Sequence, residues 1–252
     1  MLRTDKAWEK FGSENPYFGV LASPKFSAEN IQFNRDEFFA SGRGAVSQIL
    51  GRFEKHFGDL VNGRALDHGC GVGRLAFPLA EKFAEVVALD VSPSMLSEAR
   101  ENAERAEIRN VAFELADDRL TKAVGEFDFV NSYMVLQHIR VQRGLTILVS
   151  LLDKVKPGGG FHFHVSMRTD GRSRRLIWWT SHHIPGVKIC QNVLAGRVWN
   201  APAMQMNNYP LNKMIELMSS RGISELLVSM ERHANFVTCS VTGRTKAIEE
   251  ER

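Results

Sequence analysis

The chain has 252 residues, 44 % of them apolar and 24 % charged, which is typical of a folded globular protein and not of a disordered one. The net charge of +3 is small and dispersed, which argues against nucleic acid as a partner. The sequence has no run of about 18 apolar residues and no apolar core of a secretion signal near its start, so neither a membrane span nor export is predicted. The three cysteines lack metal-type spacing and predict free thiols in a cytoplasmic protein.

The N-terminal segment, residues 1–63, precedes the first predicted strand. It opens with an aromatic-rich stretch that includes Tyr17 and Phe18. Apolar side chains at helical spacing then predict one or two helices that begin near Ser41.

Residues 65–80, ALDHGCGVGRLAFPLA, form the most informative stretch of the chain. An apolar run ends at Asp67, a glycine-rich turn follows, and apolar residues then recur at helical spacing. This pattern predicts a strand, a turn and a helix, in which a ligand can lie against bare backbone at the carboxyl end of a parallel strand. The turn contains Gly69, Cys70, Gly71, Gly73 and Arg74.

The spacing of these glycines discriminates between ligands. In a dinucleotide-binding loop the last glycine allows the helix to pack closely on the strand, and here Arg74 takes that place, which disfavours pyrophosphate. No G-x-x-x-x-G-K-[ST] sequence is present, which argues against a nucleoside triphosphate. The loop resembles motif I, [DE]-x-G-x-G-x-G, of the class I S-adenosylmethionine (AdoMet) methyltransferases. The resemblance implies that the loop binds AdoMet and its product S-adenosylhomocysteine (AdoHcy).

The second predicted strand, Val86 to Asp90, ends in an acid that lies near the offset at which a carboxylate meets a ribose diol. A carboxylate suits this role because it accepts charge-assisted hydrogen bonds from both hydroxyls. Ser92 before a proline predicts a helix N-cap. The resemblance implies that Val91 and Ser92 lie beside the cofactor and that Met95 lies on the adenine ring.

Further elements follow in the order expected of this family. A third strand, Val111 to Leu115, precedes residues that the resemblance places at the adenine: Ala116, Asp117 and Asp118. A fourth, in FDFVNSYMVLQHI, resembles the family's fourth motif and places Asn131 and Ser132 near the cofactor. Residues 151–165 resemble its helix, turn and fifth strand, and the last two strands are predicted to be antiparallel.

The predicted fold is therefore an α/β, doubly wound, seven-stranded Rossmann-like sheet with an antiparallel last strand. We expect an AdoMet-binding core at residues 64–166, an insertion after strand five at residues 167–208, and the rest of the sheet at residues 209–252. In this superfamily N-terminal helices often cover the cofactor cleft, so the resemblance implies that residues 1–63 form a lid. The alternative is a helix packed on the sheet for stability alone.

His138 is the leading candidate for a general base, because it follows strand four and because imidazole titrates near neutral pH. The alternative is that His138 only hydrogen-bonds the backbone and fixes its loop. Tyr133 and His164 are the other catalytic candidates. His162 and His164 share a strand face, but two residues do not make a metal site, and no metal is expected.

Residues 167–208 are where we expect the methyl acceptor to be recognised, because so long an insertion exceeds an ordinary connection. Arginines beside tryptophans suit an acidic or phosphorylated acceptor with a flat or sugar ring. A membrane-surface contact and a self-association face, which would make a homodimer, are the alternatives. The predicted acceptor-binding residues are Tyr17, Phe18, Arg168, Arg172, Trp178, Trp179 and His182.

The resemblance implies in-line transfer of a methyl group from AdoMet to an oxygen or nitrogen of a small molecule. Two alternatives stay open. One is an enzyme of this fold that uses the sulfonium for other chemistry, and the other is a non-catalytic AdoMet-binding partner protein. The second would be expected to lose cofactor contacts, whereas Asp67, Asp90 and Asp117 are all present.

Overall fold

The computed structural model describes residues 3–169, 204–233 and 236–247. The strands form a single seven-stranded sheet in the order β3-β2-β1-β4-β5-β7-β6. Their bounds are β1 Arg64–His68, β2 Glu85–Asp90, β3 Val111–Leu115, β4 Phe127–Ser132, β5 Val155–Thr169, β6 Leu226–His233 and β7 Phe236–Arg244. Strands β1 to β5 are parallel, and β7 is antiparallel to both of its neighbours, β5 and β6. The predicted fold class is confirmed.

Within the described residues, three helices precede the sheet and four more connect or follow its strands. They are α1 Arg3–Glu14, α2 Pro16–Val20, α3 Ile31–Phe57, α4 Ala76–Ala80, α5 Pro93–Arg105, α6 Val141–Leu152 and α7 Leu211–Ser219. Short 3-10 turns occupy Pro24–Phe26 and Leu136–His138. Among the described residues, none of these helices is long and apolar enough to cross a membrane.

The core is divided by the sheet, because successive side chains of a strand point to opposite faces. In β1, Leu66 packs into the cluster on the face of α6 and α7, whereas its neighbour Ala65 packs into the cluster of α3, α4 and α5. Phe129 and Val130 of β4 divide in the same way. Both faces of the parallel strands are therefore covered, as is usual for a sheet of this class.

Helix α3 is longer than the sequence pattern indicated. It begins at Ile31, ten residues before the predicted start, and ends at Gly58, whose φ of 77° no helical residue adopts. The early turns are amphipathic only in part, because Phe38 is fully buried while Phe33 is 80 % exposed. Tertiary packing of Phe38 against Tyr17 and Phe26 stabilises these turns where the periodicity was too weak to predict them.

The N-terminal segment packs on the glycine turn that follows β1. A Cβ added at Gly71 would lie 2.5 Å from Cγ2 of Val20, and one added at Gly12 would lie 2.4 Å from Oγ of Ser92. Helix α3 approaches the same turn from another side, where a Cβ on Gly42 would lie 2.0 Å from the carbonyl oxygen of Arg74. Small residues on the helices thus allow backbone to lie against backbone around the turn.

The contact between α3 and the glycine turn can be tested with a pair of glycine substitutions. Gly42→Ala should destabilise the protein by about 1–3 kcal/mol, because the new methyl group meets a backbone atom that cannot rotate away. Gly51→Ala, on the same helix with open space around it, should stabilise the protein by about 0.5–1 kcal/mol. Denaturant unfolding of both variants measures this, and an equal response of the two would contradict the proposed packing.

Candidate functional site

A cavity of about 390 Å³ opens at the carboxyl ends of β1 to β4. Its floor is the glycine turn, and its roof comes from α1, from residues 19–22 and from Met204 and Met206. Most of the residues predicted to contact a cofactor lie in its wall: Asp67, Gly69, Cys70, Gly71, Arg74, Asp90, Val91, Met95, Ala116, Asp117 and Asp118. The other four predicted residues lie behind this wall: Gly73, Ser92, Asn131 and Ser132.

The glycine turn takes the backbone conformation that its sequence indicated. Gly69, Gly71 and Gly73 have φ values of 76°, 53° and 94°, which side chains with a Cβ rarely adopt. The amide groups of Gly69 and Cys70 both donate to the carbonyl oxygen of Leu89, at 2.7 and 2.9 Å. The turn is thereby fixed to the end of β2.

Asp90 connects the two loops that follow β1 and β2. Its Oδ2 accepts from the backbone N–H of Gly71 and its Oδ1 accepts from that of Ser92, both at 2.9 Å. Burial raises the pKa of this carboxyl to about 6, against the lowering effect of these hydrogen bonds. Since a carboxylate has about four acceptor sites, the backbone hydrogen bonds leave acceptor capacity for a ligand in the cavity.

Asp67 lies at the bottom of the cavity, 1 % exposed. Oδ1 of Asp67 accepts from Nδ2 of Asn131 at 2.8 Å. The other carboxylate oxygen, Oδ2 of Asp67, and the amide oxygen of Asn131 have no partner among the described residues. Burial raises the pKa of Asp67 to about 6, although Asn131 and the Arg74 guanidinium act in the opposite direction. Two buried oxygen acceptors without donors are costly unless a ligand supplies the donors.

Helix α5 begins at the rim of the cavity with the predicted N-cap. Oγ of Ser92 accepts from the backbone N–H of Met95 at 3.1 Å. Glu9 of α1, which the sequence gave no reason to single out, accepts from Oγ of Ser92 at 2.7 Å and from Oγ of Ser94 at 2.6 Å. An acid at a helix N-terminus is favoured by the helix dipole, so this contact stabilises α1 against α5.

The two acids after β3 differ in their surroundings. Asp117 is exposed, and its carboxylate accepts hydrogen bonds within its own turn, from the backbone N–H of Arg119 at 2.8 Å and from Thr121. Asp118 accepts from the Arg143 guanidinium at 2.9 Å, and Arg143 also donates to Asp5 of α1 at 2.7 Å. Arg143 thus joins α1 to the far rim of the cavity, a role that the sequence did not reveal.

His138 lines the cavity, and its ring orientation is fixed on two sides. Nδ1 lies 2.7 Å from the carbonyl oxygen of Gln205, and the Trp8 ring packs edge-on at 5.0 Å. Since a carbonyl only accepts, Nδ1 carries the hydrogen and the neutral ring has its lone pair on Nε2. Burial lowers the pKa of His138, so the ring is neutral at physiological pH.

Of the other two catalytic candidates, one lines the cavity and the other does not. Tyr133 lies in the cavity wall with the Arg74 guanidinium 5.8 Å from its ring centre. His164 lies within β5, 2 % exposed and outside the cavity wall, with its ring 4.9 Å from that of Tyr133. Of the three, only His138 and Tyr133 can face a ligand in this cavity.

Three of the residues predicted to bind the acceptor are described, and none of these three lines the cavity. The Tyr17 hydroxyl lies 2.6 Å from Glu98 and 2.8 Å from Asn102 on α5, away from the cavity wall, and Phe18 also lies outside that wall. Arg168 is exposed near the end of β5. Four further candidates lie outside the described residues, namely Arg172, Trp178, Trp179 and His182.

The outer part of the cavity is lined by apolar and aromatic side chains. The sequence did not single them out as ligand contacts: Trp8, Val20, Leu21, Met204, Met206 and Phe236. His68 also lies in the wall, with Nδ1 3.0 Å from Oγ of Ser132, and burial lowers its pKa to about 4. Chain order gave no signal for this group, because the tertiary fold brings it together from three distant segments.

Comparison with known proteins agrees with this arrangement. Residues 65–159 match the family model described as a methyltransferase domain. The chain is 29 % identical over 116 residues to the ubiquinone biosynthesis O-methyltransferase of Acinetobacter baylyi, covering 45 % of this chain and 48 % of that protein. It is 35 % identical over 115 residues to the enzyme of the same name from Ruegeria pomeroyi, covering 44 % of this chain and 46 % of that protein. The chain thus spans about half the length of these curated relatives.

Solved structures show the same fold over nearly the whole chain. The magnesium protoporphyrin IX methyltransferase of Synechocystis PCC 6803 with bound SAH superposes with a TM-score of 0.66 at 14 % identity, covering 96 % of this chain and 100 % of that one. An N-methyltransferase of Bradyrhizobium japonicum in complex with SAH gives a TM-score of 0.58 at 15 % identity, covering 97 % and 99 %. Residues 65–159 thus match a methyltransferase domain, and they lie in a sheet whose fold is shared with solved methyltransferase structures.

Proposed function

We propose that this protein binds AdoMet in the cavity above the glycine turn and transfers its methyl group to a hydroxyl oxygen of a small-molecule acceptor. The observation that carries the proposal is the set of carboxylates at the ends of β1 and β2, around a turn whose glycines leave the backbone open to a ligand. The names of the curated relatives support oxygen as the methylated atom.

Asp67 and Asn131 offer the acceptors that the amino group of AdoMet needs. An ammonium group carries three donors, and Oδ2 of Asp67 and Oδ1 of Asn131 are buried oxygens with no donor of their own. The free acceptor sites of Asp90 suit the two ribose hydroxyls. Met95, 1 % exposed in the adjacent wall, gives an apolar surface for the adenine ring.

The N-terminal segment closes the cavity through two polar contacts from one helix, α1. Asp5 is held by Arg143, and Glu9 is held at the N-terminus of α5. Trp8 lies between these two anchors and reaches the cavity. We propose that α1 acts as a lid, excluding water from the transfer site and orienting the acceptor.

Transfer itself needs positioning more than chemistry, since the sulfonium is already an activated electrophile. Alignment of oxygen, methyl and sulfur can supply about 7–11 kcal/mol of the barrier. An alcohol or phenol must also lose its proton. Because Nδ1 of His138 donates to Gln205, the lone pair on Nε2 is available to accept that proton. Tyr133, whose pKa burial raises, stays protonated and can donate to the acceptor.

The direct test of the proposed function is binding and transfer with labelled cofactor. Calorimetry should show binding of AdoHcy without added metal, and incubation with methyl-labelled AdoMet and a panel of phenols and sugar alcohols should yield a labelled product by mass spectrometry. Absence of heat with both AdoMet and AdoHcy would refute the proposal.

Asp90→Ala should weaken AdoHcy binding by about 1.5–3 kcal/mol for each charge-assisted bond lost. Since Asp90 also fixes Gly71 and Ser92, the same change should lower the free energy of unfolding of the ligand-free protein. Glu85→Ala, at the exposed start of the same strand, is the control and should leave affinity unchanged. Unchanged affinity per folded molecule in Asp90→Ala would show that Asp90 is structural only.

The affinity for AdoHcy should depend on pH through Asp67. Its pKa is raised to about 6 in the unliganded protein, and the ammonium group of the ligand favours the carboxylate, so binding is strongest above pH 6 and is lost as pH falls through it. One coupled carboxyl predicts affinity about tenfold weaker at pH 5 than at pH 7.5. The sign for stability is opposite, because a raised carboxyl pKa makes the unliganded fold less stable as pH rises from 4 to 6. Calorimetry of wild type and Asp67→Asn across this range measures the effect, and a flat wild-type profile would contradict it.

His138→Gln should leave AdoHcy affinity nearly unchanged and lower turnover by about a hundredfold or more, the size of a general-base effect. Glutamine keeps a hydrogen bond at this position but cannot take up a proton. Single-turnover methylation of the acceptor identified above measures the step. Full activity of the glutamine variant would show that His138 is not the base.

A further inference from the structure

Strands β5 and β7 carry a row of buried polar side chains on one face. On the other face, Phe161, Phe163 and Val165 of β5 pack in the apolar core. The alternating residues of β5 and β7 are polar and each at most 9 % exposed: His162, His164, Ser166, Thr238, Ser240 and Thr242. Burying so many polar groups on one sheet face costs free energy unless they are hydrogen-bonded. Their presence there therefore indicates a role other than packing.

This polar face forms one wall of a second cavity of about 280 Å³, here called the polar cavity. Its opposite wall is one face of α3, where Ser41, Ala45, Gln48 and Arg52 recur at helical spacing. Tyr133 and Arg74 belong to the walls of both cavities, so the polar cavity lies next to the proposed transfer site.

Two buried nitrogens in this wall have no hydrogen-bond partner among the described residues, namely Nε of Arg74 and Nε2 of His162. Nδ1 of His162 lies 2.9 Å from Oγ1 of Thr242, but its Nε2 is buried with no partner among the described residues. His162 is 4 % exposed, and burial lowers the pKa of its ring to about 3, so the ring is neutral. A neutral imidazole can either donate or accept at Nε2, as a hydroxyl partner requires.

The charges of the polar cavity favour a neutral ligand over an anion. Arg52 lies 3.5 Å from Glu231 across the cavity, and the Arg74 guanidinium is close enough to Asp67 to affect its pKa. Each cation thus has an acid nearby. What remains is a mixture of donors and acceptors from Gln48, serines and a threonine, beside the ring of Tyr133.

Hydroxyl groups match this mixture because each one both donates and accepts, and the C–H face of a sugar ring packs well on an aromatic ring. We propose that the polar cavity binds a polyhydroxylated, sugar-like group of the methyl acceptor. Its place in the reaction rests on the proposed methyltransferase function, whereas the binding itself does not. The cavity is smaller than the roughly 300–1,000 Å³ of drug-sized sites, which suits one such ring.

The test uses three methyl hexopyranosides as probes, the gluco, manno and galacto isomers. Methoxycyclohexane, which has no hydroxyl groups, is the control. Saturation-transfer NMR is recorded on the full chain, both free and loaded with AdoHcy. At least one hexoside should bind in both states, and methoxycyclohexane should not. Nitrogen-15 labelling of histidine should show the His162 ring signals move as that hexoside is added.

A pair of variants on α3 tests whether the hexoside binds in the polar cavity. Gln48→Leu removes an exposed side chain from the cavity wall and should weaken hexoside binding about two- to tenfold, the effect of one hydrogen bond. Ser47→Leu, equally exposed but outside the wall, should leave it unchanged. No hexoside binding to wild type, or equal binding by both variants, overturns the proposal. Hexoside binding without AdoHcy binding refutes only the proposed methyltransferase function.

Discussion

The rest of the site depends on the carboxylate of Asp90, which holds the backbone N–H groups of Gly71 and Ser92 at once. One side chain thereby sets the distance between the glycine turn and the start of α5. The same carboxylate lies in the cavity wall, where its pKa is raised by burial. A group that positions the two loops and also faces the ligand couples the geometry of the site directly to cofactor binding.

Acidic groups concentrate around the cavity at a cost that a cationic ligand offsets. Asp67 is buried and Asp90 is partly buried, and desolvation raises the pKa of both carboxyls, with a further contribution from Glu9 at Asp90, so the unliganded site holds its negative charge against desolvation. A ligand with an ammonium and a sulfonium group would relieve this, whereas the anionic pyrophosphate of a dinucleotide would add to the negative charge. In the proposed function, AdoMet is therefore favoured by electrostatics as well as by the shape of the glycine turn.

The sheet, the glycine turn and the Ser92 cap could be predicted from the sequence because each depends on local patterns. The glycines, the acid after β2 and the Ser92 cap each follow from a short stretch of chain. The outer part of the cavity could not be predicted, since Trp8, Met204 and Phe236 meet only through the tertiary fold. The contact of the Tyr17 hydroxyl with Glu98 of α5 gave no signal in the sequence for the same reason.

The two faces of β5 show how one strand can serve both stability and recognition. Phe161 and Phe163 stabilise the fold on the side of α6, while His162 and His164 on the other side contribute no apolar burial. Because side chains alternate, the apolar face fixes the register, and the register then fixes where each polar group lies. The polar residues of β5 and β7 are thus positioned by a core in which they take no part, and three of them line the polar cavity beside Tyr133, namely His162, Ser240 and Thr242.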